Sequence, residues 1–261
     1  MSFGGFPSAL GWSVFTRTYA RRIRDDDPTS VVETWEQCVD RVVRACNEQL
    51  GCNFSPEEAA SLAQKMLDLK CCVAGRFLWQ LGTAAVRKTG LMSLQNCAFV
   101  VVDEPVRPFT WAMNFLMLGA GVGYRILPSD LANISPPVKH ATITRQDTND
   151  ADFIVPDSRE GWVQLLAKTL KCHFYGKEGP RGRGFTYSCV CLRSKGAAIK
   201  SFGGLASGPD LLCDGITKIS AVLNARAGLP LRPIDALDIM NIIGMVVISG
   251  NVRRYDCAAA A

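Results

Sequence analysis

A continuous apolar run, Cys97-Ala98-Phe99-Val100-Val101-Val102, restricts the fold of this chain more than any other segment. It is too short for a helix, shows no polar alternation and is rich in β-branched side chains, the pattern of a strand covered on both faces. Strands of that kind sit in sheets flanked by helices. Pro108 to Leu118 supplies one helix, and Gly119-Ala120-Gly121-Val122-Gly123 reads as a turn into a short extended run at Tyr124 to Leu127. Phe185 to Leu192 alternates as a strand, which makes Cys189 and Cys191 neighbours on one face. Two helices follow, roughly Pro209 to Ala227 and Pro233 to Ile248, each opened by a proline and separated by Gly228-Leu229-Pro230. Strands with intervening helices predict α/β architecture.

The residues before Gly90 read differently. Ser55-Pro56-Glu57-Glu58 is a capping box with proline at the first helical position, and Ala59, Leu62, Ala63, Met66 and Leu67 then recur as one buried stripe. An earlier helix from about Val31 to Leu50 turns Val39, Val42, Val43 and Cys46 inward, with Cys38 also structural. The change in pattern predicts a helical domain over 1–92 and a strand-containing domain over 93–261. Within the second, Pro128 to Asp157 reads as an irregular surface excursion, part of an insertion near 125–184.

With 48% apolar residues in 261, the chain has enough material for a substantial core. No apolar run reaches the roughly 18 residues of a membrane helix, Ile239 to Ile248 being interrupted by Asn241 and Gly244. Met1 to Leu10 lacks the plan of a secretory signal, and eleven cysteines, an odd number without regular spacing, suggest a reducing compartment. A soluble cytoplasmic protein is expected. No cysteine pair has zinc-knuckle spacing and His140 and His173 form no ligand cluster, so no metal site is expected. The net charge of +5 is modest, but two basic stretches stand out: Arg17 to Arg24, and Lys177 through Arg181, Arg183, Arg193 and Lys195 to Lys200. Each is either a solvated face or a phosphate contact. Long nucleic acid is excluded as a partner, because the first stretch runs into Asp25-Asp26-Asp27 and no recognition motif accompanies either.

The chemistry centres on Asn96-Cys97 and the glycines that follow. A thiol at the head of a strand, beside exposed glycine backbone, can act on a ligand whose sugar or phosphates lie against that backbone. The glycines could equally form an ordinary tight turn. They are not a dinucleotide fingerprint, since the helix precedes them. A second glycine-rich stretch, Ser201 to Pro209, could present backbone N–H groups to an anion or be a mobile loop.

Taken together, several segments resemble the adenosylcobalamin-dependent (class II) ribonucleotide reductases, most closely the monomeric ribonucleoside-triphosphate reductases. The resemblance is carried by Leu10-Gly11-Trp12 with Thr16-Arg17-Thr18-Tyr19-Ala20-Arg21, by Gly75-Arg76-Phe77-Leu78-Trp79 with Leu81-Gly82-Thr83, and by Leu94-Gln95-Asn96-Cys97-Ala98-Phe99-Val100. It continues through Gly121-Val122-Gly123, Asp157-Ser158-Arg159-Glu160-Gly161-Trp162-Val163, Phe202 to Pro209, and Gly250-Asn251-Val252-Arg253-Arg254. The order is kept over nearly the whole chain.

The resemblance implies a helical N-terminal domain followed by the first part of a ten-stranded α/β barrel. It implies reduction of ribonucleoside triphosphates to deoxyribonucleoside triphosphates for DNA synthesis, by a thiyl radical generated with adenosylcobalamin. Cys97 matches one member of the reducing cysteine pair, and Asn96 and Gly121 match positions near the substrate. Arg193, Lys195, Gly196, Gly203, Gly204 and Ser207 fall in a segment similar to the specificity loop. Pro108, Phe109 and Met113 fall in a segment similar to the effector region. The implied partners are a ribonucleoside triphosphate, a deoxynucleoside triphosphate effector and a thioredoxin-type reductant. The sequence departs from the family at Cys72-Val73-Ala74, where proline and a hydroxyl residue are usual, and at Tyr255-Asp256-Cys257, where Ser-Ala is usual. It contains no Asn-Pro-Cys-Gly-Glu segment for the radical cysteine, so an isolated chain without activity is expected. A non-catalytic nucleotide-binding or interaction module derived from the reductase is the alternative.

Overall fold

Capping chemistry delimits the helices of the first part of the chain. Thr34 and Ser55 each head a capping box: their hydroxyls accept from the N–H groups of Gln37 and Glu58 at 3.3 and 3.2 Å, and those side chains accept in return at 2.8 and 2.9 Å. In the computed structural model the described residues are 4–23, 29–138, 140–176, 184–197 and 206–248, with the backbone of 257–260. They divide into two compact units, the division falling in sequence between Asn96 and Cys97.

The first unit is helical: α1 (Ala9–Val14), running into a π-helical turn at Phe15–Tyr19, then α2 (Trp35–Leu50), α3 (Pro56–Leu67), α4 (Gly75–Gln80) and α5 (Ala84–Thr89). α2 packs on α3 and α4 through Cys38, Val39, Val42, Cys46, Met66 and Leu78, and Phe15 meets Trp35 edge-on at 5.4 Å. The expected inward stripe of α2 is there, with Cys38 and Cys46 buried in it.

The second unit begins with β1 (Cys97–Val101), α6 (Arg107–Met117) and β2 (Gly121–Arg125). β1 and β2 pair in parallel with Cys97 opposite Gly121 and Phe99 opposite Gly123, and α6 makes the crossover between them. After α7 (Pro128–Leu131) come β3 (Thr142–Arg145), β4 (Phe153–Ile154), α8 (Arg159–Tyr175) and β5 (Gly184–Ser188), then α9 (Asp210–Ala225), α10 (Pro233–Ile248) and β6 (Cys257–Ala260). β6 pairs with the free edge of β2, giving a parallel sheet of order β1-β2-β6. β3 and β4 flank β5 in a second parallel sheet. The core holds Phe109, Met113, Val122, Tyr124, Leu165, Leu170, Phe185, Ile216, Ile239 and Ile243. Asn241, which interrupts the most apolar helix, accepts from the buried Tyr124 hydroxyl at 3.4 Å. Among the described residues no helix is long and apolar enough to cross a membrane.

Three expectations are corrected. Gly121 and Gly123 lie in β2 itself, because pairing with β1 overrides glycine's preference for turns; only Gly119, at φ 80°, ends α6 in the left-handed region. The excursion after Pro128 is not wholly irregular, since β3 and β4 find partners in β5, far along the chain. The strand expected to reach Leu192 stops at Ser188, where Leu192 N–H donates to Cys189 C=O at 2.9 Å and closes a turn. Cys189 is therefore buried and Cys191 exposed, not neighbours on one face.

Candidate functional site

The alternation of β1 sorts its side chains. Ala98 and Val100, opposite Val122 and Tyr124, pack into the core beneath α6, while Cys97 and Phe99 lie on the other face opposite Gly121 and Gly123. That face is open: Cys97 is exposed and Phe99 keeps 54% of its surface accessible. β1 is thus an edge strand covered on one face, where the apolar run predicted cover on both.

The consequence is a floor without side chains beside a reachable sulfur. Gly121 and Gly123 sit about 4.8 Å from β1, the ordinary spacing of paired strands, and bring no side chain of their own beside the Cys97 thiol and the Phe99 ring. At the far end of the face Arg125 is held by a bidentate ion pair, Nε to Asp130 Oδ2 at 3.0 Å and Nη2 to Oδ1 at 2.9 Å. The bound guanidinium keeps the Asp130 carboxyl below the usual range. The burial of Cys38, with Glu33 nearby, pushes that thiol up to about 12, so it is an inert core group where Cys97 is open to solvent. Phe99 and Arg125 were not among the residues expected from the sequence; the two-residue period of β1 and β2, once paired in register, brings them to the Cys97 face.

The other predicted residues are more dispersed. Asn96, exposed in the first unit, accepts from Arg76 Nε at 3.4 Å. Arg76 also reaches Ser93 C=O at 3.4 Å and lies over the Trp79 ring. Pro108, Phe109 and Met113 are all buried on the core side of α6, while Arg107, Thr110, Trp111 and Asn114 are half-buried or exposed. The segment expected as a specificity loop has a defined neck: Gly196 N–H donates to Ala206 C=O and Ala206 N–H to Ala197 C=O, both at 2.8 Å. Arg193 Nε sits between both oxygens of Asp157 at 3.1 and 2.9 Å, Lys195 is exposed, and Ser207 Oγ donates to Gly208 C=O at 3.3 Å. Gly208 is at φ 77°, and a Cβ there would stand 3.1 Å from the Lys195 nitrogen, so glycine is required where the neck closes. Gly203 and Gly204 lie outside the described residues.

The first basic stretch lines a cleft of ≈ 610 Å³ in the first unit, where Arg21, Arg22, Arg41, Arg44 and Arg87 are interleaved with Glu33, Glu36 and Asp40. The acids balance much of the positive charge, which favours the solvated-face reading there. In the second stretch Lys177, Arg181, Arg183 and Lys200 lie outside the described residues.

Comparison with known proteins bears on both units. The family model described as "Ribonucleotide reductase alpha domain" matches residues 3–83, and that described as "B12-dependent ribonucleotide reductase, insertion domain" matches residues 134–223. The Cys97 face lies between the two matches. Longer similarities span it: the chain is 33% identical to the adenosylcobalamin-dependent ribonucleoside-triphosphate reductase of Euglena gracilis over 95% of its own length and 34% of the relative's. It is 32% identical to the enzyme of that name from Lactobacillus leichmannii over 94% of this chain and 40% of the relative. A crystal structure of a B12-dependent (class II) ribonucleotide reductase superposes with a TM-score of 0.77 at 28% identity, over 96% of this chain and 41% of that one. The chain thus spans between a third and two fifths of the length of these curated relatives.

Proposed function

This chain belongs to the B12-dependent ribonucleotide reductase family, and from that premise we propose that it serves reduction of ribonucleoside triphosphates at the 2′ carbon, with Cys97 as one of the two thiols consumed. Replacement of a hydroxyl by hydrogen takes two hydrogens from a thiol pair, releases water and leaves a disulfide; Cys97 supplies one of those sulfurs. The observation that carries the reading is the register of Cys97 against Gly121 on an open sheet face, since hydrogen donation needs a sulfur within contact of the sugar and backbone on which the sugar can rest. Asn96, adjacent in the chain, and Gly121 are proposed to bind the substrate.

Adenosylcobalamin is the family's cofactor. The described residues around Cys97 do not fit it: two glycines, one aromatic ring and an arginine already held by Asp130 suit a group the size of a sugar rather than a broad corrin ring. In the same proposal β1, β2 and β6 are strands of the ten-stranded barrel, and the second sheet belongs to the insertion. The neck at Arg193–Gly208 carries the specificity loop, and the exposed side of α6 takes part in binding a deoxynucleoside triphosphate effector. A thioredoxin-type protein returns the oxidised pair to thiols.

Pulse alkylation of the full chain tests the assignment. A ribonucleoside triphosphate should slow modification of Cys97 several-fold and leave the exposed Cys52 unchanged. Equal rates at Cys97 with and without nucleotide would count against it.

A further inference from the structure

At the end of β5 two buried thiols from distant parts of the chain touch. Cys189 Sγ lies 3.6 Å from Cys213 Sγ, the two standing 24 positions apart in sequence and 4% and 8% exposed. The surroundings hold both in place. Arg145 binds Asp147 through Nε at 2.8 Å and Asp210 through Nη1 at 3.0 Å. Asp147 in turn accepts the Cys189 N–H at 2.8 Å, and Asp210 is the first residue of α9, the helix that carries Cys213 in its opening turn. One guanidinium thereby fixes the backbone on both sides of the sulfur pair.

The setting also makes the two sulfurs unequal. Either sulfur can donate to the other; with Cys189 as the donor its thiol favours the Cys213 thiolate most, and the Tyr187 hydroxyl and the Arg145 charge act in the same direction against burial. Cys189, as the donor and as a buried group, is pushed the other way. A helix N-terminus adds to the preference for negative charge at Cys213. This is an attacking thiolate beside a protonated resolving thiol, in an environment where a packing cysteine would need no arginine clamp.

We propose that Cys189 and Cys213 form an oxidisable dithiol that hydrogen peroxide converts to a disulfide, tying the end of β5 to the first turn of α9. The Cys213 thiolate attacks one peroxide oxygen, the O–O bond breaks, and Cys213 becomes a sulfenic acid as hydroxide leaves and is protonated. The Cys189 sulfur then attacks the Cys213 sulfur; the S–S bond forms, the S–O bond breaks and water departs with the Cys189 proton. Two thiols are oxidised and one peroxide is reduced to two waters. Only a small oxidant suits the low exposure of the pair. The disulfide would staple the two ends of the segment between Ser188 and Asp210, and this chemistry is independent of the reading given to Cys97.

The experiment is mass mapping of the full chain after treatment with hydrogen peroxide, unfolding and alkylation of remaining thiols. The expected result is a linked peptide pair containing Cys189 and Cys213 that dithiothreitol reverses. Cys189→Ala should leave Cys213 as a sulfenic acid captured by dimedone, whereas Cys213→Ala should leave Cys189 a free thiol. Recovery of both cysteines fully alkylated after exposed Cys52 and Cys191 have oxidised would overturn the proposal. So would a link from Cys213 to Cys191, or capture of the sulfenic acid at Cys189 in the Cys213→Ala variant. The mapping of the unsubstituted chain decides the matter even if a variant folds poorly.

Discussion

Glu33 and Arg41 form the most enclosed ion pair of the first unit, with side chains 8% and 12% exposed. Arg41 Nε donates to Glu33 Oε2 at 2.9 Å, and the same guanidinium donates to Leu78 C=O at 2.7 Å and to Leu81 C=O. Glu33 accepts in addition from Arg21 N–H at 3.0 Å. The pair thus ties the approach to α2 to the end of α4. Removing one partner leaves the other charge buried and uncompensated, so Glu33→Gln should cost about 3–5 kcal/mol of stability in urea titration. Replacing both, Glu33→Leu with Arg41→Met, should cost clearly less than the sum of the single changes, because no orphaned charge remains. The two carbonyls that Arg41 serves would still lose a donor, which sets a floor on that recovery.

Helix packing in the second unit depends on one glycine in the same way that the Cys97 face depends on two. A Cβ at Gly215 of α9 would stand 2.3 Å from Val246 Cγ2 of α10, so the helices approach as closely as they do only because the side chain is missing. Gly215→Ala gains about 1 kcal/mol of helix propensity but forces the stiff valine or the helix to move, at a cost of about 1–3 kcal/mol. The close approach makes the clash prevail, and the variant should be less stable. Val246→Ala should couple to it by at least about 1 kcal/mol in a double-mutant cycle read by denaturant unfolding. Legibility in the sequence follows the same division between local and distant causes. The capping box at Ser55 and the prolines at the starts of α9 and α10 act within a turn of themselves, and those helices were readable to within a few residues. The start of β2 at Gly121 was not, because two glycines hold a strand only when β1 lies beside them. β3 and β4 were missed for a similar reason: segments of 4 and 2 residues carry too little pattern without β5 to pair with. At the site, the place of Cys97 at the head of the run was legible, but its exposure and the company of Phe99 and Arg125 needed the register. The contact of Cys189 with Cys213 depends on where a strand stops and a helix starts, and no spacing in the sequence encodes it.

At the scale of the whole molecule, each unit has its own hydrophobic core, and the second contains a buried base that links its stability to pH. His173 of α8 is fully buried, and neither ring nitrogen has a hydrogen-bond partner among the described residues. Burial, with a smaller contribution from His140, lowers its pKa from 6.5 to about 4. The neutral ring is therefore the native form, and protonation favours the unfolded chain. Above pH 6.5 neither state takes the proton and the stability is fully present; as the pH falls from 6.5 to about 4 only the unfolded state binds it, and stability declines throughout that interval. A shift of this size corresponds to roughly 3 kcal/mol between the two ends. Denaturant midpoints between pH 7 and pH 4 should fall for the second unit, followed for instance by near-ultraviolet circular dichroism. The His173→Leu variant should lose most of that decline while keeping a comparable midpoint at pH 7, since leucine fills an apolar site without an unsatisfied nitrogen. An unchanged acid slope in the variant would overturn the assignment of the decline to His173. Asp130, Asp147 and Asp235, whose pKa values are lowered by Arg125, Arg145 and Arg232, lose their contribution only below that interval, at the lower pH where carboxylates titrate.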